Sequence, residues 1–163
     1  MESSIVERAR KFAETHHQGM LYGKDKPYTY HLSMVVSVLR RFGYSESKYL
    51  AAGWLHDVVE DTEVTLDFVR KEFGDEIASI VDAVTDEPGD TRAERKAKTL
   101  PKTRSNPDGI IVKLADRIAN IEAAGESDKG SMYSKEHPVF KDQLWIPGHA
   151  DELWNHLDSL MVR

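Results

Sequence analysis

Ala51-Ala52-Gly53-Trp54-Leu55-His56-Asp57-Val58-Val59-Glu60-Asp61 is the stretch that decides both the fold and the chemistry. At about 100° per residue around a helix, Glu60 falls about 40° from His56, Asp57 about 100° and Asp61 about 140°. One side thus carries an imidazole and three carboxylates, while Ala51, Trp54, Leu55, Val58 and Val59 fill the remaining arc. Charge runs are usually the solvated faces of amphipathic helices. Two features set this one apart. An adjacent His–Asp pair can bind a single metal ion from one helical turn, through an imidazole nitrogen and a carboxylate oxygen. Three carboxylates this close together also repel one another unless a cation neutralises them.

Working outward, the chain reads helical nearly throughout, with no convincing alternating strand. The Ser4–Glu7 capping box opens a first helix to about His17. Leu32, Val35, Val36 and Leu39 mark a second, stopped by Gly43. Ser45 is expected to cap a third helix, which runs unbroken through Trp54 to about Glu60. A fourth starts at Thr65 or Leu66 and ends at Gly74, and a fifth runs from Asp75 through Val84. A Pro- and Gly-bearing loop over 86–92 leads to a basic helix from about Arg92 to Leu100, which Pro101 is expected to break. Further helices are expected over Ile110–Ala124, Pro138–Trp145 and Ala150–Met161. The expectation is an all-α, single-domain helical bundle spanning residues 1–163.

A second helix offers the same split as the first stretch. Over Lys113–Ile121 the polar Lys113, Asp116, Arg117 and Asn120 share one side, and Ile111, Leu114, Ala115, Ile118 and Ile121 the other. A salt bridge to Arg117 or Lys113 is an ordinary fate for Asp116. Taken with His31, His56 and Asp57, however, it completes a set of two imidazoles and two carboxylates suited to a divalent transition ion. Glu60 and Asp61 lie one turn beyond, where a general base or a water-orienting group is wanted. Trp54, Phe68, Phe73, Trp145 and Trp154 read as core or helix-contact residues.

Composition bounds the rest. The 163 residues, 40% of them apolar, suffice for one compact core and are too apolar for disorder. The absence of cysteine excludes disulfides, thiolate metal sites and a cysteine nucleophile. A formal charge of −6 argues against a nucleic-acid partner, and no apolar run suits a membrane span. The opening residues lack an apolar signal core, so a cytoplasmic location is expected. Arg92, Arg95, Lys96, Lys98, Lys102 and Arg104 form a local basic cluster that could capture an anionic substrate, with Lys135 as a weaker candidate. The chain is expected to act as a monomer or homodimer.

These residues carry a resemblance. His31, His56-Asp57 and Asp116 match the metal-dependent phosphohydrolases of the histidine–aspartate superfamily. Pro27–His31, Leu55–Thr62, Phe73-Gly74, Val84-Thr85 and Lys113–Asn120 resemble, in order, the hydrolase domain of stringent-response alarmone enzymes. The likeness covers about residues 9–145 and suggests a stand-alone small alarmone hydrolase. It implies an all-helical fold, a manganese ion and hydrolysis of the 3′-pyrophosphate of guanosine tetra- or pentaphosphate. His31, His56, Asp57 and Asp116 would hold the metal, and Glu60 and Asp61 would position or activate water. Asn120 would contact the nucleoside, and Tyr22, Lys24, Arg95 and Lys135 are the other candidate substrate contacts. Where the family has His-x-Gly-Gln-x-Arg-Lys, this chain reads His17-Gln18-Gly19-Met20-Leu21-Tyr22-Gly23, so an aromatic ring replaces the arginine expected to pack on the base. That departure keeps a second substrate class open, an adenine alarmone or a phosphorylated dinucleotide, and a third reading is a nucleotide sensor without catalysis.

Overall fold

The computed structural model describes residues 4–124 and 128–161; residues 1–3 and 162–163 at the ends of the expected domain, and residues 125–127, lie outside them. Its helices are α1 (Ser4–His16), α2 (Tyr28–Arg41), α3 (Ser47–Leu55), α4 (Val58–Asp61), α5 (Leu66–Phe73), α6 (Asp75–Val84), α7 (Arg92–Arg104), α8 (Pro107–Ala124), α9 (Asp128–Leu144) and α10 (Asp151–Ser159). The all-α expectation holds, with one small addition. Strands β1 (Leu21–Tyr22) and β2 (Lys26–Pro27) pair antiparallel between α1 and α2. Two-residue strands are too short to show a period of two, so alternation could not reveal them.

α8 runs through the middle of the bundle. It is buried from Gly109 to Ala115 and again at Arg117, Ile118, Ala119 and Ile121, and it packs against α2, α3, α6, α7, α9 and α10. It begins three residues earlier than the apolar pattern suggests. Asn106 caps it, its side-chain oxygen accepting from the backbone N–H of Asp108 and Gly109 at 3.1 Å, and Pro107 takes the first helical position, where a missing N–H costs nothing. The Ser-Asn-Pro-Asp-Gly turn is thus also a helix start.

Two prolines lie inside helices, although one helix was expected to end at Pro101 and another to begin at Pro138. α7 continues through Pro101 to Arg104, and α9 begins at Asp128 and passes through Pro138. A proline removes one helical hydrogen bond. In α7 that loss is offset by packing of Leu100 and by the Thr103 hydroxyl, which donates to the Ala83 carbonyl of α6 at 2.6 Å. The aromatic expectation holds for Trp54, Phe73 and Trp154, whereas Phe68 and Trp145 are both 44% exposed. Phe68 still stacks on Phe12, with ring centroids 5.8 Å apart.

One departure bears directly on function. The helix expected to run unbroken to Glu60 divides at His56-Asp57 into α3 and α4. Asp57 adopts φ −104°, ψ −1° and leads into α4 without using its side chain as a cap. The carboxylate is turned into the site instead. α3 itself lies close against α2, because a Cβ on Gly53 would come within 3.0 Å of Leu39 Cδ1 and 3.1 Å of Val36 Cγ2. That close approach sets the distance between the histidines of the two helices.

Candidate active site

Three elements bring four side chains together. His31 comes from the first turn of α2, His56 and Asp57 from the α3–α4 junction, and Asp116 from the middle of α8. One ligand atom from each lies within 4.8 Å of all the others. His31 Nε2 is 3.0 Å from Asp116 Oδ1 and 3.6 Å from Asp57 Oδ2. His56 Nε2 is 3.1 Å from Asp57 Oδ2 and 3.2 Å from Asp116 Oδ1. Both imidazoles are buried.

The donor set fits a divalent ion. His56 Nδ1 lies 2.7 Å from the Gly53 carbonyl oxygen, so the proton it donates there leaves Nε2 with its lone pair toward the two carboxylates. Lone pair and carboxylate oxygens need positive charge between them. Burial works against an imidazolium, yet Asp57 and Asp116 push His56 well above its ordinary value. Burial likewise acts to raise Asp116, while the adjoining imidazoles of His31 and His56 hold it well below the carboxylate range. A cation at the centre satisfies all four groups at once. The supporting contacts are in place. The Tyr28 hydroxyl donates to Asp57 Oδ2 at 2.7 Å, and Asn120 Nδ2 donates to Asp116 Oδ1 at 3.2 Å.

These four residues floor a cavity of about 170 Å³, whose wall includes Glu60, Asp86, Arg92, Lys96, Lys113, Arg117, Asn120 and Tyr133. Glu60 sits at the open edge, its Oε1 accepting from the Asp86 N–H at 2.6 Å. Burial of its carboxyl raises it above the ordinary glutamate value, the Asp86 N–H partly opposes this, and the Asp57 charge adds to it. Lys113 is 7% exposed. Burial, and then the Lys96 charge, bring it down to about 8, so its ammonium is mostly charged at neutral pH.

The other candidates separate. Asp61 lies outside the cavity wall, with its Oδ2 3.7 Å from His17 Nε2, and both atoms are buried without a hydrogen-bond partner. Tyr22, held on β1, stacks on the His31 ring at 4.8 Å and 14° and donates to Asn120 Oδ1 at 2.7 Å. Lys24 is exposed in the β1–β2 turn and Lys135 is exposed on α9. Arg95 points to the Gly89 carbonyl at 3.3 Å, outside the wall. Its neighbours Arg92 and Lys96 reach the cavity instead, one residue position being enough to change the face of α7.

A family model described as the HD domain matches residues 9–138. The chain belongs to the HD domain family. Membership implies a divalent metal, which the His31–His56–Asp57–Asp116 cluster could hold. Relatives of this HD domain include a GTP pyrophosphokinase of Streptomyces coelicolor, 36% identical over 121 residues, which are 71% of this chain and 14% of that protein. The guanosine-3′,5′-bis(diphosphate) 3′-pyrophosphohydrolase of Borreliella burgdorferi is 36% identical over 127 residues, 74% of this chain and 19% of that protein. The mouse guanosine-3′,5′-bis(diphosphate) 3′-pyrophosphohydrolase MESH1 is 37% identical over 97 residues, 58% of this chain and 54% of that protein. The chain therefore spans only about a seventh of the first of these relatives and about half of the mouse protein. Among solved structures, a metazoan ortholog of SpoT that hydrolyzes ppGpp superposes with TM-score 0.85 over 98% of this chain and 95% of that one, at 24% identity, which supports the shared fold.

Sequence reasoning left Tyr28, Asp86 and Tyr133 of this HD domain without a role, and took Lys113 only as a salt-bridge partner for Asp116. Tyr28 had a readable signal, because it stands three residues before His31 and so shares its helix face. Asp86 and Tyr133 had none, since they reach the cavity from a loop and from the distant α9.

Proposed function

We propose that the chain is a single hydrolase domain that removes the 3′-pyrophosphate of guanosine tetra- or pentaphosphate, giving GDP or GTP and pyrophosphate. The observation that carries this reading is Glu60, a proton acceptor at the mouth of a cavity floored by a four-residue metal set and walled by Arg92, Lys96 and Lys113. The names of the Borreliella and mouse relatives support the substrate.

His31, His56, Asp57 and Asp116 would hold the ion, which we take to be manganese on the family resemblance, the mixed imidazole–carboxylate set suiting several divalent transition ions alike. When bound, the ion supplies Lewis acidity toward a phosphoryl oxygen and its attacking water. Glu60, raised by burial and held by the Asp86 N–H, accepts a proton from that water. The new bond joins the water oxygen to the phosphorus next to the ribose 3′ oxygen. The bond between that phosphorus and the 3′ oxygen breaks, and the 3′ oxygen takes up a proton. Asp61, turned toward the buried His17, assists Glu60 from outside the cavity wall rather than by touching the reacting water. Asn120 and Tyr22, joined by their hydrogen bond, face the nucleoside. The partner is a small nucleotide of the cytoplasm rather than a nucleic acid.

Tyr22 favours a second reading, the same hydrolysis of an adenine alarmone or a phosphorylated dinucleotide, because its ring offers a stacking face without guanine-specific donors. Product analysis separates the two. Manganese-loaded protein is expected to convert guanosine tetraphosphate to GDP and pyrophosphate. Turnover of the adenine compound alone would replace the guanine assignment, and turnover of neither would overturn both alarmone assignments.

A further inference from the structure

Four basic side chains line the cavity, and three of them are already committed. Lys96 Nζ donates to both oxygens of Asp86 at 2.9 and 3.0 Å. Arg92 Nε donates to Glu136 Oε2 at 2.7 Å, and Arg117 Nη1 to Glu136 Oε1 at 3.0 Å. Lys113 differs. It is 7% exposed and opens on the cavity wall, and its nearest ion-pair partner, Asp116 Oδ2, is 3.8 Å away, beyond hydrogen-bond reach. Among the described residues it makes no hydrogen bond.

An ammonium with three donors that faces the cavity without a protein acceptor is left to bind what enters the cavity. Fold packing alone does not account for it, because one turn of α8 separates Lys113 from Asp116 and a modest rotation of the stem would close that pair. What the wall lacks is a set of anionic oxygens between Lys113 and the Asp116 side of the floor. The geometry points to Lys113 as a further substrate-contacting residue, its ammonium binding the oxygens of the phosphate chain that is cleaved from the nucleotide. This rests on the hydrolase reading for its reaction, but its ligand class, a pyrophosphate, stands apart from the identity of the nucleoside. In the reaction, negative charge spreads over the phosphoryl oxygens as the bond to the ribose oxygen breaks, and a preplaced ammonium stabilises that charge without reorganisation. Arg92, Lys96 and Arg117 are held by carboxylates, so their charge shapes the wall while Lys113 makes the direct contact.

The test uses the full chain loaded with manganese and inorganic pyrophosphate as the probe. Lys113→Met keeps the length of the stem and removes the charge, and Lys113→Gln is the second variant should the first fail to fold. Calorimetry is expected to show pyrophosphate affinity falling at least about tenfold in either variant, the loss expected for a charge-assisted hydrogen bond. Metal content per chain and melting temperature are expected to stay close to the parent protein, and Lys113→Arg to recover part of the affinity. A folded, metal-loaded Lys113→Met protein that binds pyrophosphate as the parent does overturns the inference. So does one that loses metal while retaining pyrophosphate affinity, because Lys113 would then serve only to hold Asp116. If the parent protein turns over no guanosine tetraphosphate yet shows Lys113-dependent pyrophosphate binding, the substrate assignment fails and this inference stands.

Discussion

Glu60 and Tyr28 show how far single side chains carry the site. Glu60 stays at the cavity mouth because its Oε1 is tied to the Asp86 N–H, and burial raises its carboxyl above 4.5. It must lose its proton to act as a base, so turnover is expected to rise with pH through a limb lying above the ordinary glutamate value. Glu60→Gln is expected to keep the metal, lose that limb and lower kcat by about 10²- to 10⁴-fold, as a pH–rate profile would show. Tyr28 acts at one remove, its hydroxyl orienting Asp57 Oδ2. Tyr28→Phe is expected to weaken metal affinity by about 10- to 100-fold, measured by competition with a chelator, while the fold is retained.

At the scale of elements, the contact of α2 with α3 and the break between α3 and α4 together build the His–Asp floor of the cavity. Gly53 lets α3 approach α2, and its carbonyl also fixes His56 Nδ1. Ala at position 53 is a better helix former by about 1 kcal/mol, but its methyl meets Val36 and Leu39, which are 1% and 0% exposed and have little room to move. Overpacking of this kind costs about 1–3 kcal/mol. Gly53→Ala is therefore expected to lower the melting temperature and to reduce metal affinity by moving His31 away from His56. The break at His56-Asp57 explains why the helical wheel was only half right. It placed His56, Asp57 and Glu60 on one face, as the cavity confirms, but carried Asp61 along with them, whereas the turn directs Asp61 toward the buried His17.

Across the whole molecule, Glu136 of α9 ties α7 and α8 together through Arg92 and Arg117. Burial acts to raise the Glu136 carboxyl, but hydrogen bonds and charge from the two arginines hold it below 4.5. A carboxyl lowered on folding contributes stability above its unfolded value, and that contribution is lost as pH falls through the folded value. Thermal melts are expected to show Glu136→Gln less stable than the parent at neutral pH, with the difference shrinking below about pH 4.5 as the parent is protonated. The net charge of −6 also has a consequence here. Long-range attraction does not gather an anionic substrate, so capture falls to the short-range cations of the cavity wall.

Sequence alone determined the helical class and singled out His31, His56, Asp57 and Asp116, the four side chains that the fold brings together. A period of 3.6 survives any tertiary arrangement, and His-Asp followed by Glu-Asp, with a lone histidine and a second polar helix, admits few other chemistries. It also placed Tyr22 where an arginine would stand. Tertiary structure decided which members of each polar run face one another. Arg92 and Lys96 reach the cavity rather than Arg95, and Lys113 is left without an acceptor while its neighbours are paired. Asp86 and Tyr133 join a wall distant from them in the chain. A helical face fixes direction only relative to its own axis. The angle and separation at which axes pack, set here by Gly53 and by the turn at Asp57, determine what each face meets.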